Sequence, residues 1–285
     1  MFQIANKWEP PVQFDEIGYW SEVKLDIIKD YARAYSTIMA SQRNPAFYHM
    51  YIDGFSGSGV HISKTSGEFV LGSPLNALNI APPFKEYYFI DLDGSKIAEL
   101  QRVVGERENV HIFEGDCNEI LLKSVFPNVR YRNHRRALCL LDSYGLHLKW
   151  QVIQLAGRVK SIDLFLNFPI MDMNRNALWR YPEKVEATGI ERMTTFWGDE
   201  SWRGAAYRQQ ALFDTDEGKT ATNIEIAKAF QKRLSDIAHF AHVADPLPMR
   251  NSRGAVVYYL FFASQKPVSL KIIKDIFRKY RDRGR

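Results

Sequence analysis

The chain has 285 residues, 46% of them hydrophobic, which allows one large α/β domain with or without a small appendage. No run approaches the roughly 18 consecutive apolar residues of a membrane span, and Met1 to Pro11 lacks the basic-then-apolar layout of a signal peptide. The two cysteines, Cys117 and Cys139, give neither a disulfide framework nor a metal quartet, so no metal site is expected and a reducing cytoplasm is the default location. In chain order, residues 20–40 fit an amphipathic helix, because Val23, Ile27, Tyr31, Ala34 and Ile38 recur at spacings of three or four. Phe47 to Ile52 reads as a buried strand. It runs into Asp53-Gly54-Phe55-Ser56-Gly57-Ser58-Gly59, where the glycines let the backbone turn at positive φ and approach a ligand. Val60 to Leu71 reads as irregular. Ser73-Pro74 then opens a helix, with Ser as N-cap and Pro at the first helical position.

Strands are predicted at Tyr87–Asp91, Val110–Phe113, Ala137–Asp142 and Ile162–Phe168. Helices are predicted at Ser95–Val104, Asn118–Ser124 and Leu148–Val159. This alternation calls for a parallel sheet with helices on both faces, doubly wound by right-handed crossovers. Residues 170–240 read as mostly helical, with Phe196-Trp197-Gly198-Asp199-Glu200-Ser201-Trp202 either a lid or core packing. Val256–Ala263 is a central-strand candidate. His242–Met249 is its possible partner, pushed towards an edge by Pro246 and Pro248. A last helix spans Ser269 to about Tyr280.

The net charge of +5 resides in the tail: Lys271 to Arg285 holds seven basic and two acidic residues, and the rest of the chain is balanced. A solvated helix end and a contact to nucleic acid or an acidic partner both fit. The basic run Arg130, Arg132, His134, Arg135 and Arg136 precedes a strand. It is therefore expected at the sheet edge away from the site, as a solvated loop or a partner contact.

Four apolar strands each end in a carboxylate: Asp53, Asp91, Asp116 and Asp142. In an open parallel sheet, ligands bind outside the carboxyl ends of the strands, so the four acids are expected to line one crevice. Any one alone reads as an N-cap or turn residue; as a set they read as a nucleoside site. Asp91 suits ribose hydroxyls, Asp116 an adenine amino group and Asp53 the glycine loop or a ligand cation. Asp142 falls where chemistry would occur. An acid before the loop disfavours a phosphate. The loop also fails the nicotinamide fingerprint, a Walker A loop and a nucleophile elbow. Cys117 is expected to be an apolar filler beside the ligand, Cys139 core, and Asn167-Phe168-Pro169 a turn at the same edge, with a contact to the acceptor as the alternative.

Asp53-Gly54-Phe55-Ser56-Gly57-Ser58-Gly59, Phe89-Ile90-Asp91-Leu92-Asp93, Gly115-Asp116-Cys117 and Leu141-Asp142-Ser143-Tyr144-Gly145 together resemble class I S-adenosylmethionine-dependent methyltransferases. Gly72-Ser73-Pro74-Leu75, Phe196-Trp197-Gly198-Asp199, Met249-Arg250-Asn251 and Tyr259-Leu260-Phe261-Phe262-Ala263-Ser264 bring the chain closer to the three-Cys-motif partner family, over roughly Trp20 to Tyr280. The resemblance implies a mostly parallel, seven-stranded Rossmann-like sheet in one methyltransferase-like domain over 1–285, with Val256–Ala263 as the final antiparallel insertion. It implies S-adenosylmethionine as cofactor, held by Asp53, Phe55, Ser56, Gly57, Gly59, Asp91, Asp116 and Cys117. Asp142 is implied as hydrogen-bond acceptor for the methyl acceptor and Tyr144 as its stacking partner. The implied activity is methyl transfer to nucleic acid or another amine or hydroxyl. The rival reading is a non-catalytic module of a defence or mobile-element system, acting with a cysteine-motif partner protein. Two departures stand out. Val60 to Leu71 separates the glycine loop from its helix. Asp142-Ser143-Tyr144-Gly145 also lacks both prolines of the Asp/Asn-Pro-Pro-Tyr motif of amino-methyltransferases.

Overall fold

The computed structural model describes residues 14–43, 46–207 and 221–281. The Met1 to Pro11 segment and the last four tail residues lie outside them. Strand β1 (Glu16–Ile17) leads into helix α1 (Tyr19–Ser41), which buries Val23, Ile27 and Tyr31 of the expected stripe; Ile28, Ala32 and Tyr35 complete the buried face, and Ala34 and Ile38 are only partly buried. The main sheet then begins with β2 (Tyr48–Asp53). It is followed by β3 (Val60–Ser63), β4 (Phe69–Leu71), α2 (Ser73–Leu78), β5 (Glu86–Asp91), α3 (Gly94–Val104), β6 (Val110–Glu114) and α4 (Cys117–Ile120). Helix α4 widens into a π-type turn at Leu121–Val125. Next come β7 (Arg135–Leu141), α5 (Trp150–Arg158) and β8 (Ile162–Phe168). The remainder comprises α6 (Ile170–Asn176), α7 (Ala187–Trp197), α8 (Trp202–Ala206), α9 (Asn223–Asp236), β9 (His242–Val243), β10 (Leu247–Arg250), β11 (Val256–Ser264) and α10 (Pro267–Arg281). No described helix is long and apolar enough to cross a membrane.

The main sheet runs β10-β11-β8-β7-β2-β5-β6, with β9 also paired to β11. Strands β2, β5, β6, β7 and β8 are mutually parallel, and β11 inserts antiparallel between β8 and β10. The antiparallel insertion at Val256–Ala263 is as expected. The sheet itself is mixed and has eight strands rather than a mostly parallel seven. The extra strand arises because the outer line opposite β11 is split. Both β9 and β10 pair with β11, on either side of the break at Pro246. Proline cannot donate to the ladder, so an edge is where such an interruption costs least.

Two local expectations are corrected. Val60 to Leu71 is not irregular: β3 and β4 form a hairpin that joins β1 in a separate three-stranded sheet. Its turn is closed by Ser63, whose hydroxyl accepts from the Thr65 and Ser66 amides at 3.1 and 3.2 Å. The strands are four and three residues long, too short for a periodicity reading. The N-cap of α2 is Gly72 rather than Ser73, with Pro74 one position deeper in the first turn.

Helices cover both faces of the main sheet. One face packs Met50, Ile52, Cys139 and Leu141 beneath α5, α7 and α9, and the other packs Tyr51, Leu138, Leu140 and Phe165 beneath α1 and α10. The tryptophans of the Phe196–Trp202 segment are core, not lid: Trp197 and Trp202 are 2% and 1% exposed, and Arg233 bridges to Asp199 at 2.6 Å. Helix α10 uses Ile273, Phe277 and Tyr280 to seal its face, while Lys279 bridges to Asp30 at 2.7 Å.

The tightest backbone approach is at Gly157 in α5, where an added Cβ would stand 1.8 Å from the Ala238 carbonyl oxygen. Backbone cannot move aside as a side chain can. Gly157→Ala is therefore expected to cost about 3 kcal/mol by overpacking, read as a lower midpoint in urea denaturation.

Candidate active site

The chain leaves β2 for β5 and β6 on one side, then returns to β7 and β8 on the other. The carboxyl end of β2 is therefore a topological switch point, where two adjacent crossovers diverge and leave a crevice. A cavity of about 140 Å³ occupies it. Its wall takes Phe55, Ser56 and Gly57 from the turn after β2, Asp91 from the end of β5, and Asp142 and Tyr144 from the turn after β7.

The glycine turn is held from both sides. The Gly54 amide donates to the Leu140 carbonyl and the Ser56 amide to the Ile90 carbonyl, each at 2.9 Å. Gly57 stands at φ +61 and donates its amide to Asp91 Oδ2 at 2.8 Å, while Asp91 Oδ1 accepts from the Asp93 amide at 3.0 Å. Each Asp91 oxygen keeps a lone pair for a ligand hydroxyl. Gly59, at φ +82, lies outside the cavity wall. A Cβ there would meet Leu100 at 2.8 Å, so this glycine serves the packing of α3 against the loop.

Asp53 is fully buried beside this turn. Its Oδ1 accepts from the Phe55 amide at 3.2 Å. Its Oδ2 has no hydrogen bond of normal geometry. The Ser73 hydroxyl is close enough to favour the charged form, yet burial dominates and pushes the carboxyl up to about 7. Asp116 stands apart from the cavity as the N-cap of α4. Its Oδ1 accepts from the Asn118 amide at 2.9 Å and the Asn118 side chain at 2.8 Å, and Lys149 lies 3.9 Å from Oδ2. Cys117 is buried in the core next to Gly54, and burial, aided by the Asp116 charge, pushes its thiol up to about 12. It is a protonated filler rather than a nucleophile.

The dominant feature of the site is a residue that the sequence reading passed over. Lys24 of α1 is buried, and its ammonium forms a short ion pair with Asp142. The same ammonium lies 5.3 Å above the Tyr258 ring. Burial alone would lower the lysine pKa. The Asp142 carboxylate, assisted by Tyr258, overcomes that and holds it above its ordinary value. Lys24 is therefore a fixed cation, unsuited to act as a base. A signal existed in the sequence: Lys24 falls four residues before Ile28 and seven before Tyr31, inside the apolar stripe of α1. A lysine there needs a buried partner.

The N-terminal layer completes the roof. Asp15, Ile17, Ser21 and Lys24 line the cavity together with His61 of β3. Asp15 bridges to Lys96 of α3 at 2.5 Å. Burial lowers the His61 pKa, so its imidazole is neutral at pH 7. Tyr144 stands at the mouth, 74% exposed. Its turn is tied to α6, because the Leu146 amide donates to Asp172 Oδ2 at 3.2 Å.

The donor set matches a nucleoside: an apolar Phe55, a free lone pair on each Asp91 oxygen, and buried polar atoms without partners. Ser56 Oγ and His61 Nδ1 on the wall, and Asp53 Oδ2 beside it, are such atoms. The volume is smaller than the roughly 300 Å³ at which pockets begin to enclose drug-sized ligands.

Asp53 also sets a pH dependence. Its carboxyl rises from 3.8 to about 7 on folding, so between these values the folded chain holds a proton that the unfolded chain has released. Stability from this group is full below pH 4, falls as pH rises and levels off above pH 7, a loss on the order of 4 kcal/mol at 1.36 kcal/mol per unit. Asp53→Asn keeps the Oδ1 acceptor and removes the titration. Urea denaturation at pH 5 and pH 8 is expected to show a smaller pH-dependent loss in the variant than in the wild type.

No protein-family model and no curated protein matches the chain. Among solved structures, it is similar to a protein from Legionella pneumophila at 11% identity, covering 91% of this chain and 93% of that one, with a TM-score of 0.44. It is also similar to a putative S-adenosylmethionine-dependent methyltransferase from Listeria monocytogenes at 12% identity, with coverages of 84% and 99% and a TM-score of 0.39. A plantazolicin methyltransferase in complex with SAH aligns at 8% identity over 86% of each chain, with a TM-score of 0.43.

Proposed function

We propose that this chain binds S-adenosylmethionine at the β2–β7 switch point and transfers its methyl group to an amine or hydroxyl, with nucleic acid as the first acceptor class. We also propose that it is a member of the three-Cys-motif partner family. The observation that carries the ligand reading is the coupled turn at the strand ends. Gly57 at positive φ is tied by its amide to Asp91, and both face a cavity at the switch point. When bound, the cofactor supplies a sulfonium methyl group as electrophile. The protein supplies proximity and orientation.

Asp91 accepts from ribose hydroxyls through its remaining lone pairs, and Phe55 gives the nucleoside an apolar wall. Ser56 and Asp53 offer the unpartnered buried oxygens. Asp142 accepts a hydrogen bond from the acceptor amine or hydroxyl and takes its proton, which passes on to water. For this, the Lys24 ammonium gives up part of its contact with Asp142. Tyr144, exposed at the mouth, stacks on a planar acceptor. A base within a duplex reaches it only when flipped out.

A second reading is a binding module without turnover, acting with a cysteine-motif partner. The Lys24–Asp142 pair favours it, since it occupies the group that would address the acceptor. Calorimetric titration of S-adenosylmethionine and S-adenosylhomocysteine separates the outcomes. Binding to the wild type, weakened at least about tenfold by Asp91→Ala, is expected. Absence of binding to the wild type removes the methyltransferase reading. Binding without label transfer from methyl-tritiated cofactor to DNA, RNA or protein favours the module.

The tail is the proposed contact for nucleic acid. Truncating it would remove Ile273, Phe277 and Tyr280 from the core, so substitution is the better probe. If α10 meets phosphates, Lys271→Gln with Lys274→Gln is expected to reduce the slope of log affinity against log salt by about two on a DNA duplex. An unchanged slope discards the contact.

A further inference from the structure

A second hollow lies at the opposite end of the sheet. Phe126, Pro127, Val129, Tyr131, Leu155 and Val159 give a mostly apolar lining to a volume of about 590 Å³. It sits between the approach to β7 and the last turn of α5, at the end of β7 away from Asp142. Its rim is cationic. From Leu121 to Ile162 the sequence has eight lysines and arginines and one acid, Asp142, which lies at the far sheet edge. Arg130 bonds only the Pro127 carbonyl, at 2.8 Å, and Arg130, Arg132, Arg158 and Lys160 make no ion pair among the described residues. Lys266, at the start of α10, reaches the same rim, 5.6 Å from the Tyr131 ring.

Beneath this rim lies a buried charge without a carboxylate. Arg136 is 7% exposed, its guanidinium 3.9 Å from the Tyr131 ring and 4.7 Å from the Phe47 ring. It donates to the carbonyls of Tyr131 and Arg135 at 3.1 and 2.8 Å. Aromatic faces and carbonyls hold the cation but leave its charge uncompensated. The surface above therefore carries an excess of positive charge, with Glu86, 3.8 Å from the neighbouring Arg135, as the nearby acid.

We propose that this edge docks an acidic segment of a partner protein, anchored by one apolar side chain in the hollow. The rim supplies charge complementarity and steering, and the hollow supplies a desolvated anchor point. A single-stranded nucleic acid would need flat aromatic faces for its bases. The walls here are largely aliphatic, and the Tyr131 ring is already stacked against Arg136. Leu, Met or Phe flanked by Asp and Glu matches both parts of the surface. The inference stands on geometry remote from the candidate active site and does not depend on the methyltransferase reading.

The test is selection of a random twelve-residue phage-displayed peptide library on the full chain at low salt. Arg130→Glu with Arg132→Glu serves as counter-selection target. The consensus peptide is then synthesised and measured by fluorescence anisotropy. Enriched peptides are expected to carry acids around a Leu, Met or Phe. Affinity is expected to fall at least about tenfold on the charge-reversed protein and on Leu155→Gln, and to be unchanged on Asp91→Ala. Both arginines are exposed, so the reversed protein is expected to keep the wild-type melting temperature, and it decides the question if Leu155→Gln fails to fold. No enrichment, peptides lacking acids, or affinity retained on the charge-reversed protein overturns the proposal. So does tighter binding of a thymidine 20-mer that is lost on the same variant, which would assign the surface to nucleic acid.

Discussion

The ion pair between Lys24 and Asp142 is the constraint on which the site depends. A lysine within the apolar stripe of a helix loses its hydration on packing, and that loss is tolerable only against a carboxylate. Asp142 stands one residue past the end of β7. Pairing it with Lys24 fixes the position of α1 along the sheet. The chain just before α1 is β1, which pairs with β3 of the hairpin, so the roof over the switch point follows from the same contact. The cavity is small because this layer is latched, at Lys24 and again where Asp15 meets Lys96. On the proposed reading, ligand entry and acceptor chemistry would both work against these two contacts.

The carboxylates at the strand ends divide the work according to what surrounds them. Asp91 accepts two backbone amides and shapes the glycine turn. Asp53 is buried with one amide and titrates near neutrality. Asp116 is consumed in capping α4, and Asp142 in neutralising Lys24. Four residues of one type and one sequence context thus have four electrostatic states. Each state is set by burial and by the donors and charges that the fold brings to the two oxygens.

The sheet is also polarised end to end. Acids gather where the parallel strands finish, and cations gather where β7 begins. Glu86 at the start of β5, 3.8 Å from Arg135, and a buried acid on β8 are exceptions that are satisfied locally. Asp163 accepts from Tyr31, Ser264 and Ser269, which ties α1 and α10 to the sheet through hydroxyls rather than charges. At the cationic end Arg130, Arg132, Arg158 and Lys160 make no ion pair among the described residues.

Much of this was legible in the chain. Alternating apolar runs and turn residues located β2, β5, β7 and β8, since a buried parallel strand requires an unbroken apolar stretch. The 3.6-residue period located α1, and the acids after each strand marked one edge. Other features depended on contacts between distant segments. The hairpin at β3 and β4 is too short to carry a period, and β1 offers it a third strand. The split of the outer edge into β9 and β10 depends on β11 lying alongside. The burial of Trp197 and Trp202 is a matter of how α7 and α8 pack, which spacing alone left open. Sequence determined which residues stand at the strand ends, because local patterning sets where a strand stops. Only the tertiary structure decided which of those carboxylates is free, capped or paired. Lys24 and Asp142 are 118 residues apart, and nothing short of the packing of α1 across the sheet brings them together.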